Sequence, residues 1–170
     1  GGSAQVLTFD VTDSAAVAAV LTPLVEHQPI QILVNNAGIH DDAVFPGMRA
    51  EQWHRVIDVS VNGFFNVTQP LMMPMIRSRW GRIINVSSIA ALTGNRGQVN
   101  YSAAKGALNP DTKSLAQEVA SRGITAPQGF LAGSAYCGIK ASNADRPDIA
   151  LIHSPQPTVV AATFTTNCVK

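Results

Sequence analysis

The sequence of 170 residues predicts an α/β fold in which helices cover a parallel β-sheet. Two short apolar runs, residues 32–34 and 82–86, lead into small polar residues, as buried parallel strands do. The stretch between them, residues 51–76, carries apolar side chains at helical spacing. Strand, helix and strand in this order predict a right-handed crossover, so both strands should end at the same edge of one sheet.

Further elements are predicted on both sides of this unit. Residues 6–10 predict a strand, and residues 14–26 predict a surface helix with Thr12 or Asp13 as its N-cap. Residues 149–152 and 159–164 predict two short strands, and the two prolines between them favour a turn, so a hairpin-like segment is expected.

Composition argues against several classes of function. The net charge of +1 gives no large basic field, so nucleic acid is not an expected partner. Cys137 and Cys168 form no CxxC motif and the four histidines form no HxxH or HExxH motif, so no metal site is expected. No stretch approaches 18 uncharged apolar residues and no signal peptide opens the chain, which predicts a cytoplasmic protein without a membrane span.

Ser88, Tyr101 and Lys105 form the strongest candidate catalytic group. Thirteen positions separate Ser88 from Tyr101, and Lys105 lies one helical turn further on, on the same helix face as the tyrosine. A free phenol has a pKa of about 10, and a nearby cation favours its ionised form. The three groups therefore suit proton transfer to or from a carbonyl or alcohol oxygen. The alternative is an ordinary surface contact between a tyrosine and a lysine.

Five ordered segments resemble a known family: residues 10–13, 35–38 and 61–63, Ser88, and residues 101–105. Their order and spacing are similar to those of the short-chain dehydrogenase/reductases. Residues 81–88 and 94–105 look most like the branch of β-ketoacyl-acyl-carrier-protein reductases. The resemblance covers residues 1–124 and implies an incomplete Rossmann-like sheet in an NAD(P)-dependent oxidoreductase. The branch favours NADP, although the sequence does not distinguish NADP from NAD.

The resemblance implies roles for four catalytic residues. Tyr101 would be the acid/base, and Ser88 would polarise the substrate oxygen. Lys105 would bind the nicotinamide ribose and tune Tyr101. Asn62 would hold a helix kink and a water in the proton relay.

Cofactor and partner contacts also follow from the resemblance. The implied cofactor-binding residues are Asp10, Val11, Asn36, Ala37, Gly38, Tyr101 and Lys105. Asp10 and Val11 would line the adenine pocket, and residues 36–38 would pass under the cofactor. The substrate would be a carbonyl compound, either a small molecule or one bound to an acyl carrier, and Arg79 falls at the place of a carrier-docking arginine. The simpler interpretation of Arg79 is a cation near a helix C-terminus. Family members form homo-oligomers.

Three departures from the family pattern accompany this resemblance. The strand and glycine-rich turn that cradle a pyrophosphate are missing, and so is the second strand, which predicts a gap in the sheet. Pro110 is expected to kink or break the helix that follows Tyr101, and this puts a family-type dimer interface in doubt. The reductase pattern is expected to stop near Thr125, without the strand and Pro-Gly turn that close over the nicotinamide.

Residues 125–170 instead resemble the N-terminal segment of the ornithine acetyltransferase (glutamate N-acetyltransferase) family. This predicts two segments, a partial reductase domain at residues 1–124 and an unrelated tail at 125–170. The nucleophile of that family lies beyond the resemblance, so no catalytic residue is carried over. Three hypotheses follow: a carbonyl reductase, an inactive chimeric fragment that acts through self-association, and an acetyltransferase fragment.

Overall fold

The parallel strands β2 (Ile32–Asn35) and β3 (Gly81–Ser88) form the centre of the sheet. A computed structural model describes residues 3–131, 148–153 and 159–163. In it Ile32 lies opposite Arg82 and Asn35 lies opposite Asn85, which confirms the predicted parallel pair. The connection contains a short 3₁₀ turn (Phe45–Gly47), α2 (Ala50–Ile57), a π-helical turn (Asp58–Asn62) and α3 (Gly63–Ser78). The predicted long helix therefore exists, but a π-helical turn divides it.

The first helix, α1 (Ser14–His27), begins where the sequence predicts. Asp13 is its N-cap, because one carboxylate oxygen accepts hydrogen bonds from the backbone N–H groups of Ala15 and Ala16, each at 3.0 Å. The helix buries Val17 and Leu21 and packs against α3. Asp13 rather than Thr12 thus fixes the start of α1.

After β3 come α4 (Ala90–Thr93) and α5 (Val99–Val119), which pack against each other. The expected break at Pro110 is wrong, because α5 continues through this residue as one helix of 21 residues. Pro110 is exposed, so the missing N–H group lies on the solvent side of the helix. Leu108 and Thr112 on either side of it are buried, and this packing keeps the helix together.

The expected gap in the sheet is also wrong. The strands β6 (Asp148–His153) and β7 (Val159–Thr163) form an antiparallel hairpin that lies between β1 (Ser3–Thr8) and β2. The strand β6 pairs antiparallel with β1, and β7 pairs in parallel with β2. Because two antiparallel steps restore the direction, β1 and β2 run the same way, and β6 is the only antiparallel strand among those that the structure describes. The hairpin predicted from the tail fills the position that the sequence leaves open.

On the other side of β3, β4 (Ile124–Thr125) and β5 (Gln128–Leu131) follow a 3₁₀ turn (Ala120–Arg122). Both pair in parallel with β3 in one register, with Gly81 opposite Ile124 and Asn85 opposite Gln128. They act as one strand that Pro127 interrupts, since proline has no N–H group to donate. The expectation that no strand follows Thr125 is therefore wrong. The Pro-Gly turn would lie beyond Leu131. Residues 132–147 are outside the part of the chain that the structure describes, so the expectation about this turn stays untested.

The main core lies where α1 and α3 meet the sheet. It contains apolar side chains from each of these elements, namely Val17, Leu21, Leu33, Val67, Leu71, Met75, Ile83 and Ile124. The architecture confirms the predicted α/β class, a partial Rossmann-like sheet with flanking helices and a C-terminal hairpin. Within the described ranges, no helix is long and apolar enough to cross a membrane.

Candidate active site

The carboxyl end of β3 and the first turns of α5 bring Ser88 and Tyr101 together. Ser88 is the last residue of β3, and Tyr101 is the third residue of α5. The helix is fixed to the strand because the Ser87 hydroxyl donates to the Lys105 carbonyl oxygen at 2.9 Å. The Ser88 hydroxyl lies close enough to the Tyr101 phenol to lower the pKa of that phenol. Two hydroxyl groups thus meet at the sheet edge where ligands of open α/β sheets bind.

Lys105 lies one turn further along α5 and is almost completely buried, at 3% exposure. Its Nζ donates to the carbonyl oxygens of Ala37 at 3.3 Å and Val86 at 3.1 Å. A Cβ on Gly38 would lie 2.8 Å from Nζ, so the lysine needs glycine at this position to keep this place. Burial lowers the pKa of Lys105 to about 8, because the charged form loses its hydration. The ammonium is therefore a buried charge that two carbonyl groups hold beneath the loop after β2.

The pKa of Tyr101 is raised above its ordinary value. Burial of the phenol is the largest cause, and the negative charge of Asp42 acts in the same direction. The nearby Ser88 hydroxyl lowers the pKa by less than these two effects raise it. Desolvation therefore dominates the pKa of this phenol in the structure.

Asn100 fixes the start of α5 and is completely buried. Its amide nitrogen donates to the carbonyl oxygens of Asp41 at 2.9 Å and Gln52 at 3.2 Å. Its amide oxygen accepts from the backbone N–H of Tyr101 at 2.8 Å. One side chain therefore ties the loop after β2, α2 and the catalytic helix together at the residue before Tyr101.

His40 is a site residue that the sequence interpretation missed. Its ring stacks on the Tyr101 ring, with centroids 3.9 Å apart and planes inclined by 28°. Its Nδ1 lies 3.4 Å from the amide nitrogen of Gln98 and 3.7 Å from a carboxylate oxygen of Asp42. One signal in the sequence could have indicated this residue, because His40 lies two residues beyond Gly38 and so follows the same strand end.

Asn62 does not join this group. It is exposed, and its amide donates to the Asp58 carboxylate at 2.8 Å. The inward position belongs to Ser60, which is buried and whose Oγ would lie 3.7 Å from a Cβ on Gly38. Asn62 therefore lies outside the inward-facing group, and the relay role that the resemblance implies for it stays a prediction. The π-helical turn determines which residues face inward, and helical periodicity without that turn does not reveal it.

A small cavity lies beside Ser60, between the end of β2 and α5. It has room for about one water-sized molecule, and Asn35, Ala37 and Leu108 line it. Both Ser60 Oγ and the amide oxygen of Asn35 are buried without a hydrogen-bond partner among the described residues. Two unsatisfied polar atoms at one cavity mark a place for a polar group next to Lys105.

Asn35 also belongs to a buried polar chain across the sheet. Its amide donates to Thr68 and to Asn85, each at 2.9 Å, and the Asn85 amide donates to Thr112 at 2.8 Å. These bonds connect α3, β2, β3 and α5 in one line. They fix the strand ends on which the loop after β2 and Ser88 depend.

The remaining predicted cofactor residues lie at the ends of β1 and β2. Asp10 is exposed, and its carboxylate accepts from the N–H and the hydroxyl of Thr12, both at 2.8 Å. Val11 is buried and lines the same small cavity as Ser60. Asn36, Ala37 and Gly38 follow β2 directly and are partly buried.

Two other predictions concern charged and metal-binding side chains. Arg79 is the C-cap of α3 with a left-handed backbone, and its guanidinium donates to the Ser121 carbonyl at 3.4 Å. This placement fits the simpler interpretation of a cation at a helix C-terminus. Among the residues that the structure describes, no group of histidine, cysteine or acidic side chains could hold a metal ion.

Comparisons with known proteins agree with the predicted resemblance. A family model described as short chain dehydrogenase matches residues 1–131. A 3-oxoacyl-[acyl-carrier-protein] reductase of Aggregatibacter actinomycetemcomitans is 47% identical over 127 residues, which are 74% of this chain and 52% of the relative. The Escherichia coli (strain K12) reductase of the same name is 42% identical over 126 residues, with the same two shares.

The chain thus spans about half the length of these relatives. A third relative of the same name, from Aquifex aeolicus, is 52% identical over 95 residues. The likeness of residues 125–170 to an acetyltransferase segment stays a prediction, as does the division of the chain at residue 124. On the family model and these identities, the chain belongs to the short-chain dehydrogenase family.

Proposed function

We propose that this site is that of an NAD(P)H-dependent carbonyl reductase of the 3-oxoacyl type. The observation that carries the proposal is the closeness of the Ser88 hydroxyl to the Tyr101 phenol at the end of β3, with the buried Lys105 ammonium one helical turn away. Two hydroxyl groups and a buried cation at one strand end suit proton transfer to an oxygen atom.

In the proposed reaction the substrate ketone oxygen accepts hydrogen bonds from Ser88 and Tyr101. When bound, the reduced nicotinamide supplies the hydride that goes to the ketone carbon. As the carbon–oxygen double bond becomes single, the oxygen takes the proton of the Tyr101 hydroxyl. Tyr101 becomes a phenolate, and the positive charge of Lys105 favours that state. The raised pKa of Tyr101 in the structure keeps the phenol protonated at neutral pH, as an acid that donates in this direction must be.

The residues present fit only one end of such a cofactor. Ala37, Gly38, Tyr101 and Lys105 would hold the nicotinamide ribose, since Gly38 leaves room for the lysine and its ammonium lies beneath this loop. Asp10 and Val11 would contact the adenine end. These 170 residues contain no G-x-G spacing of the kind found in a glycine-rich turn that binds a pyrophosphate. NADP is proposed over NAD from the branch resemblance alone.

The substrate proposal follows the names of the relatives, which act on 3-oxoacyl groups bound to an acyl carrier protein. A β-keto thioester or a small β-keto ester is therefore the expected substrate class. The same likeness supports a cytoplasmic location and a homo-oligomer as proposals.

The test is NADPH oxidation with a β-ketoester, comparing this chain with its Tyr101→Phe variant. We expect weak cofactor binding and low turnover, because nothing in the sequence replaces the pyrophosphate turn. Whatever turnover exists should fall by about 10²- to 10⁴-fold in Tyr101→Phe, since the general acid is lost. Turnover that survives this substitution would contradict the proposed role of Tyr101. Titration of NADPH fluorescence with a Lys105→Met control separates binding from chemistry.

A second candidate is a chain without catalysis that associates with itself. The observation that favours it is the exposure of Phe65 and Met73 on the outer face of α3, at 63% and 53%. Absence of both cofactor binding and turnover, together with a concentration-dependent mass in light scattering, would favour this candidate. A monomer that reduces the β-ketoester would exclude it.

A further inference from the structure

The proposed proton transfer does not involve the stacking contact between the rings of His40 and Tyr101. Ring centroids 3.9 Å apart with planes 28° from parallel place the imidazole over one face of the phenol. That face is therefore closed to other groups, and the tyrosine is left with its other face and its hydroxyl group for ligands.

His40 is braced from outside α5. The Gln98 amide donates to the Asp42 carboxylate at 2.9 Å and lies 3.4 Å from His40 Nδ1. The loop is also tied to the turn before α5, because the backbone N–H of Ala43 donates to the Gly97 carbonyl at 2.9 Å. The imidazole thus has its own support and does not depend on Tyr101 for its position.

We propose that His40 is a positioning residue for Tyr101, which holds the phenol against Ser88 and shields one ring face from water. The proposal deepens the proposed function, since it names what orients the acid of that reaction. The charged and titratable groups that act on the phenol or on the imidazole are His40 and Asp42 from the loop and Lys105 from α5, while β3 contributes the Ser88 hydroxyl.

Shielding of the phenol by His40 should change the pKa of Tyr101 in one direction, upward. Burial raises the pKa of Tyr101, so loss of the covering ring should return the phenol toward its ordinary acidity. His40 itself has a lowered pKa, and burial is again the first cause. It is therefore neutral in the alkaline range where the phenol ionises, and its effect there is one of cover rather than charge.

The experiment is an ultraviolet titration of tyrosinate in the full chain, with Tyr101→Phe subtracted to remove the signal of Tyr136. We expect a raised midpoint for Tyr101 in the unchanged protein and in His40→Phe, which keeps a stacking ring. His40→Ala should shift the midpoint down, and Asp42→Asn should also shift it down because a negative charge is removed. Identical midpoints in the unchanged chain and His40→Ala would overturn the proposal.

A second measurement covers the case in which His40→Ala does not fold. Proton NMR of the unchanged chain should show through-space contacts between the His40 and Tyr101 rings. The two sets of ring signals are assigned by their loss in His40→Phe and in Tyr101→Phe. Their absence would also overturn the proposal. Neither readout needs turnover, so an inactive chain would remove the proposed function without removing this inference. Where turnover is measurable, His40→Ala should lower kcat by ~10- to 100-fold with little change in KM, and His40→Phe should restore most of it.

Discussion

The two halves of the sheet are built in different ways. The half around β2, β3 and α5 uses parallel strands and crossover helices that are close in sequence, and a buried chain of polar side chains crosses it from Thr68 to Thr112. The half around β1 is completed by a hairpin, β6 and β7, that is remote from β1 and β2 in sequence. The first half carries every group of the candidate site except Asp10 and Val11.

The comparison shows that the candidate site is well formed beside strands that lie outside the part of the chain that the family model matches. Ser88, Tyr101 and Lys105 are held by contacts within β3, α5 and the loop after β2. The hairpin supplies strand pairing to β1 and β2.

The largest expected effect comes from breaking the hairpin. Ala150 lies opposite Val6 of β1 and Ala161 of β7, so β6 is paired on both edges at this position. Ala150→Pro should lower the free energy of unfolding by ~3 kcal/mol or more, as a proline does when it removes a backbone donor from regular structure. Chemical denaturation of this variant measures the loss.

Ala150→Val is the matched control, because valine favours strands and keeps the backbone donor. If the proline and valine variants unfold at the same denaturant concentration, the hairpin does not complete the sheet.

The next largest effect on stability concerns the buried ammonium of Lys105, in the half of the sheet that carries the candidate site. The pKa of Lys105 is lowered from 10.5 to about 8 in the folded chain, so between these values the unfolded chain binds more protons. Stability should therefore rise with pH across this window by up to roughly 3 kcal/mol, and the penalty of the buried charge is fully present below pH 8. Denaturation at several pH values measures it.

Lys105→Met removes the titrating ammonium, so the free energy of unfolding of this variant should lack this rise with pH. The difference in free energy of unfolding between the two proteins reports the contribution of Lys105, since Tyr101 titrates in both. A constant difference from pH 7.5 to 10 would show that the ammonium is not buried as described.

The smallest effect comes from the polar chain across the sheet. Asn85 is completely buried and joins Asn35 to Thr112, so Asn85→Ala should cost about 2 kcal/mol through lost hydrogen bonds and unsatisfied partners. Asn62→Ala removes an exposed asparagine and should cost under ~1 kcal/mol. Comparable losses from the two substitutions would contradict the difference in burial, and a loss of turnover confined to Asn62→Ala would restore the relay role predicted from sequence.

Sequence reasoning predicted the site half well because its signals are local. Short apolar runs defined β2 and β3, and the position of Asp13 defined the start of α1. The same local reasoning misjudged Pro110, because burial of Leu108 and Thr112 on the opposite face outweighs the lost donor. It misplaced the inward residue at Asn62, because a π-helical turn changes the face that each residue presents.

The other half was beyond local reasoning. The residues of β6 and β7 predict two strands and a turn, but nothing in their pattern states that they insert between β1 and β2. That pairing depends on the unpaired backbone N–H and C=O groups of β1 and β2, which lie far from β6 and β7 in the sequence. The stack of His40 on Tyr101 was missed for the same reason, since it depends on the path of a loop.

The position of the hairpin has a consequence for the order of events as the chain folds. Ser3 pairs with His153 and Ile32 pairs with Val159, so the sheet closes only after residues 148–163 have left the ribosome. Until then β1 and β2 each keep an open edge that other nascent chains can occupy. Pairings this distant in sequence make folding slow, and a low temperature of expression, which gives the late hairpin time to arrive before aggregation, should raise the yield of soluble protein.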